Sequence, residues 1–427
     1  MHKRSELVCF IAMYALVGCF VATAVASHGQ SGGTAPGRLI VVLKPGVAPE
    51  TVARGHNVQP DAVYRHALNG FAGPATDTQT EDLKHDPNVR SVERDQQLHM
   101  SQDWRADFLK SFHTPNPPFS LEQQLLPTGI DRIDADLSAT AKIDGSDERV
   151  DADIAIIDSG IDLEHPDLNV VHNVSFVPGT TDGHDDFYHG TGLAGVAAAL
   201  DNSTGVVGVA PGARLWAVKV VNGGGASNVS WVLSGIDYVT AHASEIDVVE
   251  VAFEVTDDVE PSPAFDEALA NSVNAGLTYV VSAGNLAVEV SSLAWLFRND
   301  QNVILVSSLA DSDGKGGGLG PNTCLGDADD TFSAFSDFGP LVDISAPGDC
   351  YPTTFPRGQY ISFGGTSGAS AHVAGVVALY KSKHPQASPD QVRAALLKEA
   401  KAQSDPMFGF SGDPDSSPEP VVYAGHF

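Results

Sequence analysis

From residue 130 onward, near-continuous apolar runs of strand length alternate with segments of helical pattern. This alternation restricts the fold more than any other feature of the chain. Residues 154–157 (IAII), 215–221, 247–253, 278–282 and 303–307 are the strand candidates, and 192–200, 229–242, 367–381 and 389–400 are the helix candidates. Strands that are apolar throughout are buried on both faces, and helices between them provide the cover, so the pattern specifies an α/β fold with a parallel β-sheet covered by helices on both faces. Ligands of such sheets bind beyond the carboxyl ends of the strands.

The first hundred residues read differently. Residues 1–26 begin with His2, Lys3 and Arg4, continue as an apolar run over 7–25 and end on Ala24-Val25-Ala26. That is the layout of a cleavable signal peptide, with an uncleaved anchor as the alternative. No later stretch could span a bilayer, so no stable membrane insertion is expected once the signal is removed. Residues 27–37 read as a Gly/Ser-rich linker and 38–100 as a small α+β module. The module's strands are expected at 38–44, 62–68 and 89–96, its helices at 50–54 and 78–85, and a turn at Asn69-Gly70. Residues 101–123, broken by Pro115, Pro117 and Pro118, read as a connector open to proteolytic nicking. A globular domain then runs over 124–404, followed by a Pro/Asp-rich tail over 405–427 that reads as loosely packed.

Composition narrows the partners. With 54 acidic against 24 basic residues the formal net charge is −30, which repels phosphate backbones and argues against nucleic acid. Of four cysteines, Cys9 and Cys19 leave with the signal peptide. In an oxidising compartment Cys324 and Cys350 most simply pair, two free thiols being the alternative.

Four polar residues fall where the sheet should open into a cleft. Asp158 ends the strand at 154–157, where a carboxylate can orient an imidazole, although it can also be a turn aspartate. His189, in His-Gly-Thr before a helix, can act as a general base. Ser367 opens a small-residue helix, where the positive helix end favours a developing alkoxide, although a capping serine is common there. Asn285, in Ala283-Gly284-Asn285 after the strand at 278–282, can donate to an oxyanion. None is decisive alone; the order Asp, His, Asn, Ser carries the signal.

The segments IAIIDSGIDLEHPDL (154–168), HGTGLAG (189–195) and GTSGASAHVAGVVAL (365–379) resemble the three signatures of the subtilisin/proteinase K family of serine peptidases. NSTGVVGVAPGARLWAVKV (202–220) and SDFGPLVDISAPG (336–348) are similar to the same family. The resemblance implies a subtilisin-like endopeptidase with Asp158, His189 and Ser367 as triad, and Asn285 with the Ser367 N–H as oxyanion donors. IVVLKPG (40–46), ALNGFAG (67–73) and VRSVERD (89–95) resemble the inhibitor-type propeptide of that family, which implies a ferredoxin-like prodomain, a self-inhibited zymogen and a cut between Leu98 and Gln124. It further implies polypeptide substrates bound along Gly225, Ala226 and Ser227 on one side and Ala252, Phe253 and Glu254 on the other, with Gly284 beside the oxyanion site. A structural Ca²⁺ is implied at Gln124, Asp167, Asn202 and the carbonyls of Leu200, Thr204 and Val206. Secretion to the extracellular space is expected. The glycan acceptor patterns at Asn173 and Asn228 matter if the host glycosylates, and the one at Asn202 conflicts with its calcium role.

Five departures from the family pattern bear on activity. Gly192 stands where a histidine is usual, and its loss is expected to loosen the loop. Gly368 stands for a methionine behind the nucleophile, which leaves space, and Ala371 stands for a proline. Ala252-Phe253-Glu254 replaces Ser-Leu-Gly. His184 to Tyr188 (HDDFY) replaces an Asn-Gly approach to the histidine. Together they keep open a second reading, a catalytically weak or inactive homologue that binds peptides.

Overall fold

The computed structural model describes residues 37–99, 123–252, 260–290 and 303–427. The signal peptide, most of the connector and its cut, Phe253 and Glu254 lie outside the described residues.

The N-terminal module contains β1 (Gly37–Leu43), α1 (Pro49–Gly55), β2 (Ala62–Tyr64), β3 (Gly70–Ala75), α2 (Asp77–Lys84) and β4 (Val89–Arg94). Its antiparallel sheet has the order β2-β3-β1-β4. The second strand is shorter than the apolar run suggested, and Gly70 opens a strand instead of closing a turn. A Cβ on Gly70 would lie 2.2 Å from the Val41 carbonyl oxygen, so only glycine lets β3 approach β1 this closely. Period-two alternation gives the sheet two faces. Leu39, Val41 and Leu43 pack with Val52, Phe71 and Leu83 into the module's own core. Ile40 and Val42, with Tyr64 and Leu68, join the apolar core of the larger domain.

That domain supplies α3 (Thr128–Arg132), β6 (Asp153–Asp158), β7 (Val170–Ser175), α4 (His189–Ala198), β8 (Arg214–Lys219), β9 (Ala226–Asn228), α5 (Val229–Ala241), β10 (Val248–Val251), α6 (Pro263–Asn274), β11 (Thr278–Ser282) and β12 (Val303–Ala310). It continues with β13 (Thr331–Phe332), β14 (Ile344–Pro347), β15 (Tyr351–Phe355), β16 (Gln359–Phe363), α7 (Thr366–Lys383) and α8 (Pro389–Glu399). The central sheet runs β13-β12-β11-β10-β6-β8-β7, with β14 also on β12. Every pairing in it is parallel except β12 with β13. Both faces are covered, as the continuous apolar strands require: Ile154 and Ile156 of β6 meet α4 and α7, while Ala155 and Ile157 meet α5 and α6.

The tail is not loose. Lys401 and Val421 exchange both backbone hydrogen bonds, and Val421, Val422 and Ala424 are fully buried. Three apolar side chains at 421, 422 and 424 outweigh the Pro/Asp composition before them. Among the described residues, no helix is long and apolar enough to cross a membrane.

Candidate active site

Asp158 is the last residue of β6, and the chain leaves the sheet there. Its carboxylate is fully buried, accepts from Ser159 N (2.6 Å), and meets His189 Nδ1 with both oxygens at 2.9 Å. His189 is the first residue of α4 rather than part of the turn before it. The turn that delivers it is tied by Asp185, fully buried, whose Oδ1 accepts from Ser159 Oγ, Phe187 N and Tyr188 N, and whose Oδ2 accepts from Thr191 N and Oγ1. Burial pushes this carboxyl up, and the bonds from Thr191, Tyr188 and Phe187 oppose the shift. The same bonds hold Tyr188 at φ +116, a conformation a bulky residue adopts only under constraint. Asp185 went unread as a functional residue; the signal was its place four residues before His189.

Ser367 is the second residue of α7 and is buried. Its hydroxyl donates to the Ala252 carbonyl at 3.1 Å and not to His189, so the expected serine–histidine bond is not formed in this state. Asn285 lies across the helix start: its Oδ1 accepts from Thr366 N (2.8 Å) and Thr366 Oγ1 (3.0 Å). The amide nitrogen is left without a partner among the described residues, where it can serve as a donor. Gly284 precedes it at φ +115, and its N–H donates to Thr366 Oγ1.

Two departures from the family pattern are compensated. The place a side chain would take on Gly368 is filled by the Tyr351 ring, 2.0 Å from an ideal Cβ, so no space remains there. Beside Gly192, Thr353 Oγ1 donates to the Gly192 carbonyl (2.5 Å) and Thr354 Oγ1 to the Thr191 carbonyl (2.6 Å), so β15 ties the first turn of α4 in place of the missing histidine side chain.

The cleft edge is occupied by the chain itself. Beyond β4, β5 (Gln97–His99) pairs antiparallel with β9, Gln97 facing Asn228, Leu98 facing Ser227 and His99 facing Ala226. Leu98 is buried in the core shared by α5 and α6. Just upstream, Glu93 accepts from Ser262 Oγ and Ala264 N at the start of α6, and Asp95 from Ser230 N and Oγ at the start of α5. The module therefore caps two helix N-termini with carboxylates, where the dipole favours them.

The residues expected to hold calcium converge. Asn202 N donates to Gln124 Oε1, Asn202 Nδ2 to Asp167 Oδ1 (2.8 Å), Val206 N to Asp167 Oδ2 (3.1 Å) and Tyr360 OH to the same oxygen (3.2 Å). Asp167 is buried and has no cationic hydrogen-bond partner among the described residues, and a Cβ on Gly205 would meet its Oδ2 at 2.3 Å. The carbonyls of Leu200, Thr204 and Val206 accept no hydrogen bond among the described residues. This oxygen-rich set fits a hard cation, although the Asn202 oxygen here accepts from Thr204 N and its amide nitrogen faces Asp167. Among the described residues, Asp162, Glu164 and His184, and separately Asp311, Asp313 and Asp329, also gather groups able to hold a metal. Cys324 and Cys350 are joined as a disulfide, with Cα atoms 5.8 Å apart.

Comparison with known proteins agrees with this architecture. Residues 151–411 match the Subtilase family and residues 40–101 match the Peptidase inhibitor I9 family. Subtilisin E of Bacillus subtilis is 33% identical over 345 residues, covering 80% of this chain and 77% of its own length. A thermostable alkaline protease of Halalkalibacterium halodurans is 29% identical over 375 residues, covering 88% and 89%. A cold adapted subtilisin-like serine proteinase of known structure shares the fold at a TM-score of 0.53 and 24% identity, covering 70% of this chain and 97% of its own. With its inhibitor-type propeptide, this chain is a serine endopeptidase made as a zymogen, and it belongs to the subtilase family.

Proposed function

We propose that the protein is a secreted, self-inhibited endopeptidase that cleaves polypeptides through an acyl-enzyme, with Asp158, His189 and Ser367 as its triad. The observation that carries the reading is the pair of 2.9 Å contacts between buried Asp158 and His189 Nδ1. A carboxylate so placed fixes the tautomer that leaves Nε2 free to accept a proton, and stabilises the imidazolium that follows. Rotation about the Ser367 side chain moves its hydroxyl from the Ala252 carbonyl to His189. The alkoxide attacks the scissile carbonyl, and His189 returns the proton to the leaving amine. Water then releases the acyl group by the reverse sequence. Asn285 Nδ2 and the Ser367 N–H stabilise the oxyanion. Substrate lies along Gly225, Ala226 and Ser227, the edge that β5 holds in the zymogen. Residues 1–26 and the Cys324–Cys350 disulfide support passage to an oxidising, extracellular compartment.

Gln124, Asp167, Asn202 and the carbonyls of Leu200, Thr204 and Val206 are assigned to one structural Ca²⁺, which when bound ties the segment at 124 to the loop after α4. The second reading, an inactive peptide-binding homologue, draws on the engagement of Ser367 Oγ with Ala252. Wild type and Ser367→Ala, expressed at full length, separate the two. Under the triad reading, wild type loses its N-terminal region by intact mass and degrades an unfolded protein, while the variant stays full length and inert. If both remain full length and inert with calcium present, the peptide-binding reading replaces it.

A further inference from the structure

A carboxylic acid that the triad chemistry does not use lies beneath the nucleophile. Glu250 sits on β10, beside Ile156 of β6 and Val280 of β11, and is fully buried. Its Oε1 is 2.8 Å from Ser370 Oγ, while its Oε2 is sealed from solvent with no partner. Ser370 Oγ is also 2.8 Å from the carbonyl oxygen of Ser367. A hydroxyl carries one proton. If Ser370 gives it to the Ser367 carbonyl, which can only accept, then the contact with Glu250 needs a proton from the acid. With the Ser370 proton shared between two acceptors each contact is half a hydrogen bond; both are full two-centre bonds when Glu250 is neutral.

The surroundings favour that form. Asp158 approaches from β6 and brings a negative charge, and Tyr351, which itself feels Glu250 and Asp349, approaches from β15. His372 on α7 meets the Tyr351 ring edge-on at 5.9 Å. Burial holds it neutral down to about pH 4, so it offers no cation. Burial first, and Asp158 second, push the Glu250 carboxyl well above its ordinary range, the Ser370 bond opposing.

We propose that Glu250 is a positioning residue for hydrolysis: as a neutral acid it donates to Ser370, whose hydroxyl is then committed to the Ser367 carbonyl and fixes the first turn of α7 that presents the nucleophile. The proposal rests on Ser367 as nucleophile. Ionisation would reverse the Ser370 hydroxyl, release the Ser367 carbonyl and set a second negative charge near Asp158. Activity should therefore fall in alkali with the loss of one proton.

The test expresses the whole chain as wild type, Glu250→Gln, Glu250→Ala, Ser370→Ala and Ser367→Ala, with kinetics read on the self-processed proteins and Ser367→Ala kept as the unprocessed, turnover-free reference. A glutamine amide donates to Ser370 at every pH. Glu250→Gln should retain kcat near neutrality and lack the alkaline limb. Glu250→Ala and Ser370→Ala should each lose on the order of tenfold in kcat with KM little changed, the scale of one lost hydrogen bond at the transition state. Loss of kcat in Glu250→Gln equal to that in Glu250→Ala, or an alkaline limb unmoved in Glu250→Gln, overturns the assignment. Infrared difference spectra between Ser367→Ala and Ser367→Ala/Glu250→Gln give a reading that needs no turnover. The carbonyl band of a neutral carboxylic acid, recorded on the acid side of the alkaline limb, should vanish with Glu250, and absence of that band overturns the proposal. Full activity of Ser367→Ala would instead remove the nucleophile, a failure distinct from these.

Discussion

The Tyr351 ring stands where a side chain on residue 368 would stand: a Cβ built on Gly368 lies 2.0 Å from Tyr351 Cε1 and Cζ. The two positions exchange volume directly behind Ser367. Gly368→Ala should therefore overpack the site and cost about 1–3 kcal/mol of stability. In a Tyr351→Ala background the same change should be nearly free, and Gly368→Met should fit. Urea unfolding of the four members of the cycle measures the coupling, and additive costs would refute the exchange.

Asn285 has two ends, and the proposed oxyanion role falls to only one of them. Its Oδ1 caps Thr366 at the start of α7, so Asn285→Ala disturbs the helix as well as the chemistry. Asn285→Asp keeps the oxygen and removes the donor. We expect it to hold its melting temperature and to lose roughly 10²–10³ in kcat, the loss known for the corresponding donor in subtilisin. Unaltered turnover in Asn285→Asp would remove the oxyanion role.

The propeptide should be held largely by its two helix-capping carboxylates. Asp95 has no exposed side-chain area and receives Ser230 N, Ser230 Oγ and Arg38 Nε within 2.9 Å. Removing a charged acceptor from such a set costs about 1.5–3 kcal/mol. Asp95→Ala should thus weaken self-inhibition roughly tenfold or more, read as an earlier onset of activity after processing. An onset identical to wild type would show that the caps do not hold the complex.

Stability should decline as pH rises from mildly acid to mildly alkaline. Burial pushes Glu419 from its ordinary 4.5 up to about 8, and Asp349 from 3.8 up to about 7. Between those limits the folded chain keeps protons that the unfolded chain has released, so unfolding gains ground with every pH step. Glu419→Gln should flatten the fall in melting temperature between pH 5 and about 8. A melting temperature that climbs over this range, or an unaltered slope in the variant, would contradict the sign.

If Gln124, Asp167 and Asn202 hold calcium, chelation should lower the melting temperature of the wild type and leave that of Asp167→Asn nearly unmoved, since a ligand stabilises only a fold that binds it. Equal shifts in both proteins would place the metal elsewhere.

Much of this architecture was legible in the sequence because the burial of a parallel sheet leaves a continuous apolar record. Residues 278–282 and 303–307 could be read as strands without reference to anything distant, although the second runs on to Ala310. The strand Gly70–Ala75 was missed because its glycines answer to neighbouring backbone, Gly70 to Val41 and Gly73 to Gln59, and not to a local pattern. The tail looked loose because its three decisive residues, Val421, Val422 and Ala424, are outnumbered by prolines and aspartates. At the site, sequence order found Asp158, His189, Asn285 and Ser367. It gave no view of Asp185, Glu250 or Tyr351, whose roles depend on contacts across 6, 120 and 17 positions.

The antiparallel pairing of β5 with β9 also sets how inhibition must end. While the chain is uncut, the blocking strand is tethered, so its local concentration is unaffected by dilution. Once the connector is cut, the same contacts become a bimolecular complex that weakens as protein spreads from its source. The first freed molecule can then digest the detached inhibitors of its neighbours. Activation should be abrupt, with a lag set by the rarest early dissociations, and dilution into the surroundings should act as the trigger.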